Sequence, residues 1–319
     1  MTFIQRGRAF KSALAATAIV AAMAATAGGA FAAGNPADAS TQAARAGQAA
    51  EKHNAPAAKG KLAAPRAAAG ASEQTATFPM AAVERDGWLN WYFPNGRGGF
   101  EASWPTAANF SAFKHYIQVD QDKDGQKDGA WSVLKDGRLL YTTAKPGQDA
   151  STKDIGGGWQ IYNKVLSPGN LAGARESDLL AVDKAGVLWL YLGYADGRVT
   201  ARTKVGGGWG QYTEIAGQGD LNGDGFTDIV ARDRAGVLWL YTGNGDRQDP
   251  FSNRVKIGGG WNTYNRILSV GDLDGDGRSD LVARGNDGTL WRYSGNGDSS
   301  DPFDNRVKIG WGYNSLNLV

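Results

Sequence analysis

Acidic residues recur in this chain at a spacing that suits metal chemistry. The run Asp120-Gln-Asp122-Lys-Asp124-Gly-Gln-Lys-Asp128 puts carboxylates at its first, third, fifth and ninth positions. Asp220-Leu-Asn222-Gly-Asp224-Gly-Phe-Thr-Asp228 and Asp272-Leu-Asp274-Gly-Asp276-Gly-Arg-Ser-Asp280 repeat it. Side-chain oxygens at those positions, with a backbone carbonyl at the seventh, form the irregular oxygen cage that Ca²⁺ accepts and the stricter octahedron of Mg²⁺ disfavours. The expected donors are Asp120, Asp122, Asp124, Asp128 and the Gln126 carbonyl; Asp220, Asn222, Asp224, Asp228 and the Phe226 carbonyl; and Asp272, Asp274, Asp276, Asp280 and the Arg278 carbonyl. Gly125, Gly225 and Gly277 allow the sharp turn at the sixth position. A fourth run, Asn170-Leu-Ala172-Gly-Ala174-Arg175-Glu-Ser-Asp178, lacks the oxygens at positions three and five and the sixth-position glycine, so three Ca²⁺ sites are expected. An EF-hand would carry Glu at position twelve, where Trp131, Ala231 and Ala283 stand. The ion's role would be structural, contributing about 1 kcal/mol per loop at millimolar Ca²⁺. The alternative, solvated acidic turns, leaves each cluster repelling itself.

Other chemistry has little material. The chain of 319 residues has no cysteine, which excludes disulfides and thiol nucleophiles, and only two histidines, His53 and His115. There is no Gly-x-Ser-x-Gly, and the spacing of Glu84 and Glu101 gives no support to a glycosidase pair. The reading is of a protein that is not an enzyme. A net charge of +2 argues against a dedicated nucleic-acid binder. Of the acids only six are Glu and 26 are Asp, and Gly reaches 46, a turn-rich, all-β composition.

The elements that position these loops repeat with them. The four runs start at 120, 170, 220 and 272, spacings of 50, 50 and 52 residues. Gly-Gly-Gly-Trp keeps the same period at Trp159, Trp209 and Trp261, and a shortened Gly-Trp follows at Trp311. Within the last period four short strands are expected, at about 264–271, 280–284, 289–294 and 306–310, the first two flanking the Asp run. Four strands per unit is a β-propeller blade. Gly-Val-Leu-Trp-Leu-Tyr (236–241) is apolar on both faces, as a sheet between two neighbours should be. Residues 78–104 supply three strands of a further blade without its first, and 315–319 supply a first strand with nothing after it. Joined, they give five blades closed by the C-terminal strand completing the first blade.

The recurrent Asp-x-[Asp/Asn]-x-Asp-Gly-x-x-Asp followed by Leu-Val or Ile-Val resembles the FG-GAP or VCBS repeats of secreted bacterial proteins and integrin-type propellers, over about 78–319. The Gly-Gly-Trp and Asp-Gly-x-Leu-Trp elements also resemble tachylectin-like five-bladed lectins; integrin propellers differ in having seven blades. The resemblance implies a binding module. The tryptophans Trp159, Trp209, Trp261 and Trp311 have two readings, as packing between blades or as sugar-stacking platforms, and the second suits loops such as Gly243-Asn-Gly-Asp246 in a multivalent sugar binder. The expected partner is a glycan or cell-wall surface, or alternatively another secreted protein; no nucleic acid and no membrane span are expected.

The N-terminal part reads as address and tether. Arg6, Arg8 and Lys11 precede an alanine-rich apolar run and an Ala30-Phe-Ala32 site, as in a signal peptide over 1–32. Cleavage there leaves a net charge of −1 and implies a secreted, extracellular protein. Residues 33–77, rich in Ala, Pro, Gln and Ser, are expected to be a disordered linker.

Overall fold

The computed structural model describes residues 75–143, 150–173 and 175–319. The expected signal peptide and nearly all of the expected linker lie outside the described residues. Twenty strands form five four-stranded antiparallel sheets, a five-bladed propeller. Blade 1 orders β20 (Asn317–Leu318), β1 (Met80–Val83), β2 (Trp88–Tyr92) and β3 (Trp104–Asn109). Blade 2 runs β4 (Phe113–Val119), β5 (Gly129–Leu134), β6 (Leu139–Thr143), β7 (Ser151–Gly156). Blade 3 runs β8 (Tyr162–Gly169), β9 (Asp178–Asp183), β10 (Leu188–Tyr191), β11 (Thr203–Gly206). Blade 4 runs β12 (Tyr212–Ala216), β13 (Ile229–Asp233), β14 (Leu238–Gly243), β15 (Phe251–Gly258). Blade 5 runs β16 (Tyr264–Gly271), β17 (Asp280–Gly285), β18 (Leu290–Tyr293), β19 (Val307–Gly310). The first strands β4, β8, β12 and β16 pack side by side and so line the axis.

Each blade is built the same way for the same reasons. Its second strand is apolar on both faces and buried, as in Ile229-Val-Ala, because a blade is covered on both sides. A tight turn follows, closed by Gly236 N–H donating to the Asp233 carbonyl at 3.1 Å with Gly236 at φ 79°, where a side chain would be strained. The Asp233 carboxylate accepts from Val237 N–H and from the Trp239 indole N–H at 2.9 Å, and Asp183 does the same for Val187 and Trp189. Desolvation, the largest single influence on Asp183, pushes its carboxyl up, but its donors and Arg202 together outweigh it, and the Trp239 indole leads the donors on Asp233, so both carboxyls lie below the usual range. The apolar core is divided into five layers, one between each pair of neighbouring blades, with Trp91, Trp131, Leu179, Leu190 and Leu281 among the fully covered side chains.

The ring closes twice. β20 pairs with β1 through Ala82–Leu318 and Val83–Asn317, and Val319 N–H donates to the Ala81 carbonyl. The second closure was not expected: residues 75–77, assigned by sequence to the linker, are fastened to the propeller. Phe78 N–H donates to Val270 O at 2.7 Å, Asp272 N–H to Ala76 O, and Thr77 N–H to Gly125 O, so this strap joins blade 5 to blade 2. A Cβ on Gly271 would lie 1.5 Å from the Ala76 carbonyl, so glycine there is what lets the strap pass.

Candidate functional site

Each Asp run connects the first and second strand of its blade, so all four loops gather at one end of the axis. They are called loop A (120–128), B (170–178), C (220–228) and D (272–280). Their ninth-position Asp is an anchor of the fold. Asp228 accepts Leu221 N–H at 3.0 Å and Gly243 N–H at 2.9 Å, and Asp280 accepts Leu273 and Gly295 N–H at 2.9 and 3.0 Å. Asp178 in the degenerate loop B accepts Leu171, Ala172 and Gly193 N–H in the same manner, so position nine serves the backbone even where the other acids are missing. Asp128 likewise accepts from Gln121 and Asp122 N–H. Burial raises the carboxyls of Asp178, Asp228 and Asp280 to about 7, against the pull of these donors.

Positions one, three and five converge on a common point. Carboxylate oxygens of Asp120, Asp122 and Asp124 lie within 4.8 Å of one another, and so do those of Asp272, Asp274 and Asp276. In loop C the Asn222 amide donates to Asp224 at 3.1 Å, which brings positions three and five together. Position one fixes the loop backbone: Asp220 accepts Gly223 and Gly225 N–H at 2.7 and 2.8 Å, and Asp120 and Asp272 repeat the pair. The Gln126, Phe226 and Arg278 N–H groups, at position seven, donate to the position-five Asp. Crowding is visible electrostatically: Asp120 is raised to about 6 by burial and then by Asp124 and Asp128, despite two N–H donors. An all-oxygen set at this closeness fits a hard divalent cation. Loop D differs in that Arg292 reaches Asp274 at 3.1 Å and Arg278 reaches Asp276 at 3.7 Å, while the counterpart of Arg292 in blade 4 is Leu240.

The tryptophan series divides. Trp159, Trp209 and Trp261 each open a 3-10 turn after a left-handed glycine and are only 6, 6 and 7 % exposed. Each lies against a tyrosine, Tyr191, Tyr241 and Tyr293, at 4.7–4.8 Å between ring centres. Trp311 is not their counterpart. The residue after the left-handed glycine in the last turn is Tyr313, whose N–H donates to Gly288 O as Trp261 N–H does to Gly236 O. Trp311 stands outside the series, 78 % exposed, with Lys308 Nζ 5.8 Å from its ring. Matching Gly310-Trp311 to Gly260-Trp261 pairs the two by residue type, whereas the turn geometry aligns the segments without a gap and puts Trp311 at the place of Gly259.

Beside each buried indole sits a constellation that the sequence reading did not find. Tyr162 and Tyr191 share a hydroxyl–hydroxyl hydrogen bond, as do Tyr212 and Tyr241, and Tyr264 and Tyr293. An arginine from the outer strand or the segment leading into it donates to the first tyrosine of each pair: Arg202 at 3.0 Å, Arg254 at 2.8 Å, Arg306 at 2.6 Å. The same guanidiniums lie 3.9, 4.3 and 4.2 Å over Trp189, Trp239 and Trp291. Between blades 4 and 5 the constellation opens into a pocket of about 320 Å³, floored by Ile257, Trp261, Tyr293 and Phe303 and edged by Asp301, Asp304 and Arg306. The signal was present in the sequence as Tyr at each inner-strand start and Arg 42 residues after the second and third of them, but pairing them needed the blade register.

Among the described residues no helix is long and apolar enough to cross a membrane. No curated protein matches the chain. Among solved structures it is similar to Prp20p from Saccharomyces cerevisiae, a protein whose binding to Gsp1p and histones was studied, at 11% identity and TM-score 0.35, covering 72% of this chain and 60% of that one. It is similar to a mutant of AofleA from Arthrobotrys oligospora at 10% identity and TM-score 0.44, covering 74% and 73%. It is similar also to the SapL1 lectin in complex with alpha methyl fucoside, at 12% identity and TM-score 0.40, covering 75% and 84%. Residues 220–283, from loop C into β17, match the family model of the FG-GAP-like repeat.

Proposed function

We propose that this protein is a secreted, calcium-stabilised propeller that binds glycan or cell-wall surfaces through its interblade rim. The observation that carries the reading is the pocket between blades 4 and 5. Its lining is mainly polar: the carboxylates of Asp301 and Asp304 and the guanidinium of Arg306 offer hydrogen-bond partners above the edges of Trp261, Tyr293 and Phe303, of which Trp261 and Phe303 are nearly buried. A sugar ring presents the matching chemistry, a perimeter of hydroxyls for the carboxylates and the guanidinium, and a pocket of this size belongs to the small-ligand class. Related Trp-Tyr-Tyr-Arg constellations at two further interblade positions would let weak sites act together on a repetitive surface. Calcium in loops A, C and D would hold the axial ends of the blades and so fix the rim.

A glycan array probed with wild type, Asp301→Ala and Asp304→Ala tests this. Both side chains are exposed, so the variants should melt with the wild type while array binding falls. Absence of binding to any immobilised glycan, or binding that both variants retain in full, would overturn the reading.

A further inference from the structure

The axis carries a second charged cluster, at the end away from the Asp loops. Lys164, Glu214 and Arg266 occupy the same place near the start of β8, β12 and β16, two residues after Tyr162, Tyr212 and Tyr264. Lys114 lies at the start of β4. Strand register adds Arg232 opposite Glu214 and Arg284 opposite Arg266. Four of these cations reach into the next blade. Lys114 Nζ donates to the Gln160 carbonyl at 3.3 Å and to Tyr162 O, and Lys164 Nζ to Thr213 O at 2.6 Å. Arg232 donates to Trp261 O at 3.1 Å and to Tyr264 O, and Arg284 to Tyr313 O at 2.9 Å and to Leu316 O. The contacts step round the axis from blade to blade, those of Lys114 ending beside Lys164 and those of Arg232 beside Arg266.

Carbonyls hold these heads in place but bring no neutralising charge. The one carboxylate among them is Glu214, 3.3 Å from Arg266. Five cations against one acid leave an excess of four positive charges in half-buried surroundings, where screening by water is weakened. Arg266 and Arg284 directly opposite each other on paired strands is an unfavourable arrangement in itself. Two polar atoms in the cluster, Arg266 Nε and His115 Nε2, have no hydrogen-bond partner and no contact with solvent. An unmet buried donor and an unneutralised cation excess are satisfied together by one species, a small anion rich in acceptor oxygens.

We propose that this end of the axis is a binding site for a small tetrahedral oxyanion, phosphate or sulfate, held by Arg266 and Lys164 with Arg284 completing the charge. It is separate from the rim pocket and does not depend on the glycan reading. Glu214 competes with the anion for Arg266.

The test is calorimetric titration of the full chain with sodium phosphate and, separately, sodium sulfate, against sodium chloride at matched ionic strength. One site per chain for a dianion is expected, with a matching rise in melting temperature that chloride does not give. Equal response to both dianions assigns charge recognition, and response to phosphate alone assigns a proton-donating contact. Arg266→Gln should weaken binding about tenfold, the value of one charge-assisted contact. Glu214→Gln should tighten it, a gain that damage to the fold cannot mimic. No heat and no melting shift with either dianion, or an affinity unmoved in Glu214→Gln, would overturn the proposal.

Discussion

At the residue scale, burial decides what each tryptophan can do. Trp209 touches Tyr212, Tyr241 and Phe251 inside the layer between blades 3 and 4. Trp209→Ala should therefore cost about 3–5 kcal/mol of stability, as for other large-to-small core changes, whereas Trp311→Ala should leave the melting temperature unchanged; equal melting curves for the two variants would contradict the placement. The buried acids make a second prediction. Asp178, Asp228 and Asp280 are raised to about 7 in the folded chain from an ordinary 3.8. A raised folded value means stability that is complete below the unfolded value and lost as pH rises through the folded one. Chelator-treated protein should thus melt higher as pH falls from about 7 to about 5. His115, pushed down to about 4 mainly by burial, works the other way below its ordinary 6.5, and Lys127, pushed down to about 7 by burial, works the other way above about 7. Asp120, raised to about 6, adds to the three Asp, which outnumber His115 between about 7 and about 5. A slope of opposite sign in a pH series of melting curves would reject the assignment. Spacing marked the recurrent acids but not which of them the backbone takes up, because that depends on the N–H groups that the loop and the following strands bring to each carboxylate.

At the element scale, the Asp loop is a unit that is half satisfied by its own backbone and left with converging oxygens, from three acids in loops A and D and from two acids and an amide in loop C. A divalent cation binding the folded loop and not the unfolded chain stabilises by mass action. Removing Ca²⁺ with chelator should lower the melting temperature and restoring millimolar Ca²⁺ should recover it; titration should count three sites, with Asp276→Ala losing one and Asp178→Ala losing none. Asp178→Ala should still destabilise, since its three backbone donors lose their acceptor. Unchanged melting on chelation, with no calcium in the purified protein, would remove the metal from the account. The strands themselves were readable nearly to the residue, 264–271 being expected and Tyr264–Gly271 found, because a covered blade demands long apolar runs with glycine turns between them. The strap was not readable: Thr75-Ala-Thr77 is compositionally linker, and its role comes from position. Blade 1 has no Asp loop, and the strap fills that gap, with Thr75 Oγ1 donating to Gly277 O at 2.6 Å on loop D and Thr77 N–H to Gly125 O at 3.1 Å on loop A.

At the scale of the whole molecule, the axis is polarised, with acids gathered at the loop end and cations at the other, and the ring that holds both depends on where the chain ends meet. Blade count followed from period and length, and closure followed from a first strand missing at one terminus and surplus at the other. The C-terminal contribution is small but placed where little can substitute for it. β20 is two residues long, yet Leu318 is fully buried with Met80 and Ala82 in the layer between blades 5 and 1, and the Leu316 carbonyl receives Arg284. Deleting 315–319 removes that leucine, uncovers the edge of β1 and leaves Arg284 without one of its acceptors. Loss of the leucine alone is worth about 2–5 kcal/mol, and at about 2–4 °C per kcal/mol for a domain of this size the melting temperature should fall by about 10 °C. Deleting 75–78 instead should also lower it, because blades 5 and 2 lose their bridge, while both deletions together should yield no soluble protein, since a ring without either latch has an open sheet edge available for pairing with other chains. If the C-terminal truncation melts within about 2 °C of the full chain, the strap carries the closure, and the double deletion compared with the strap deletion alone would show it.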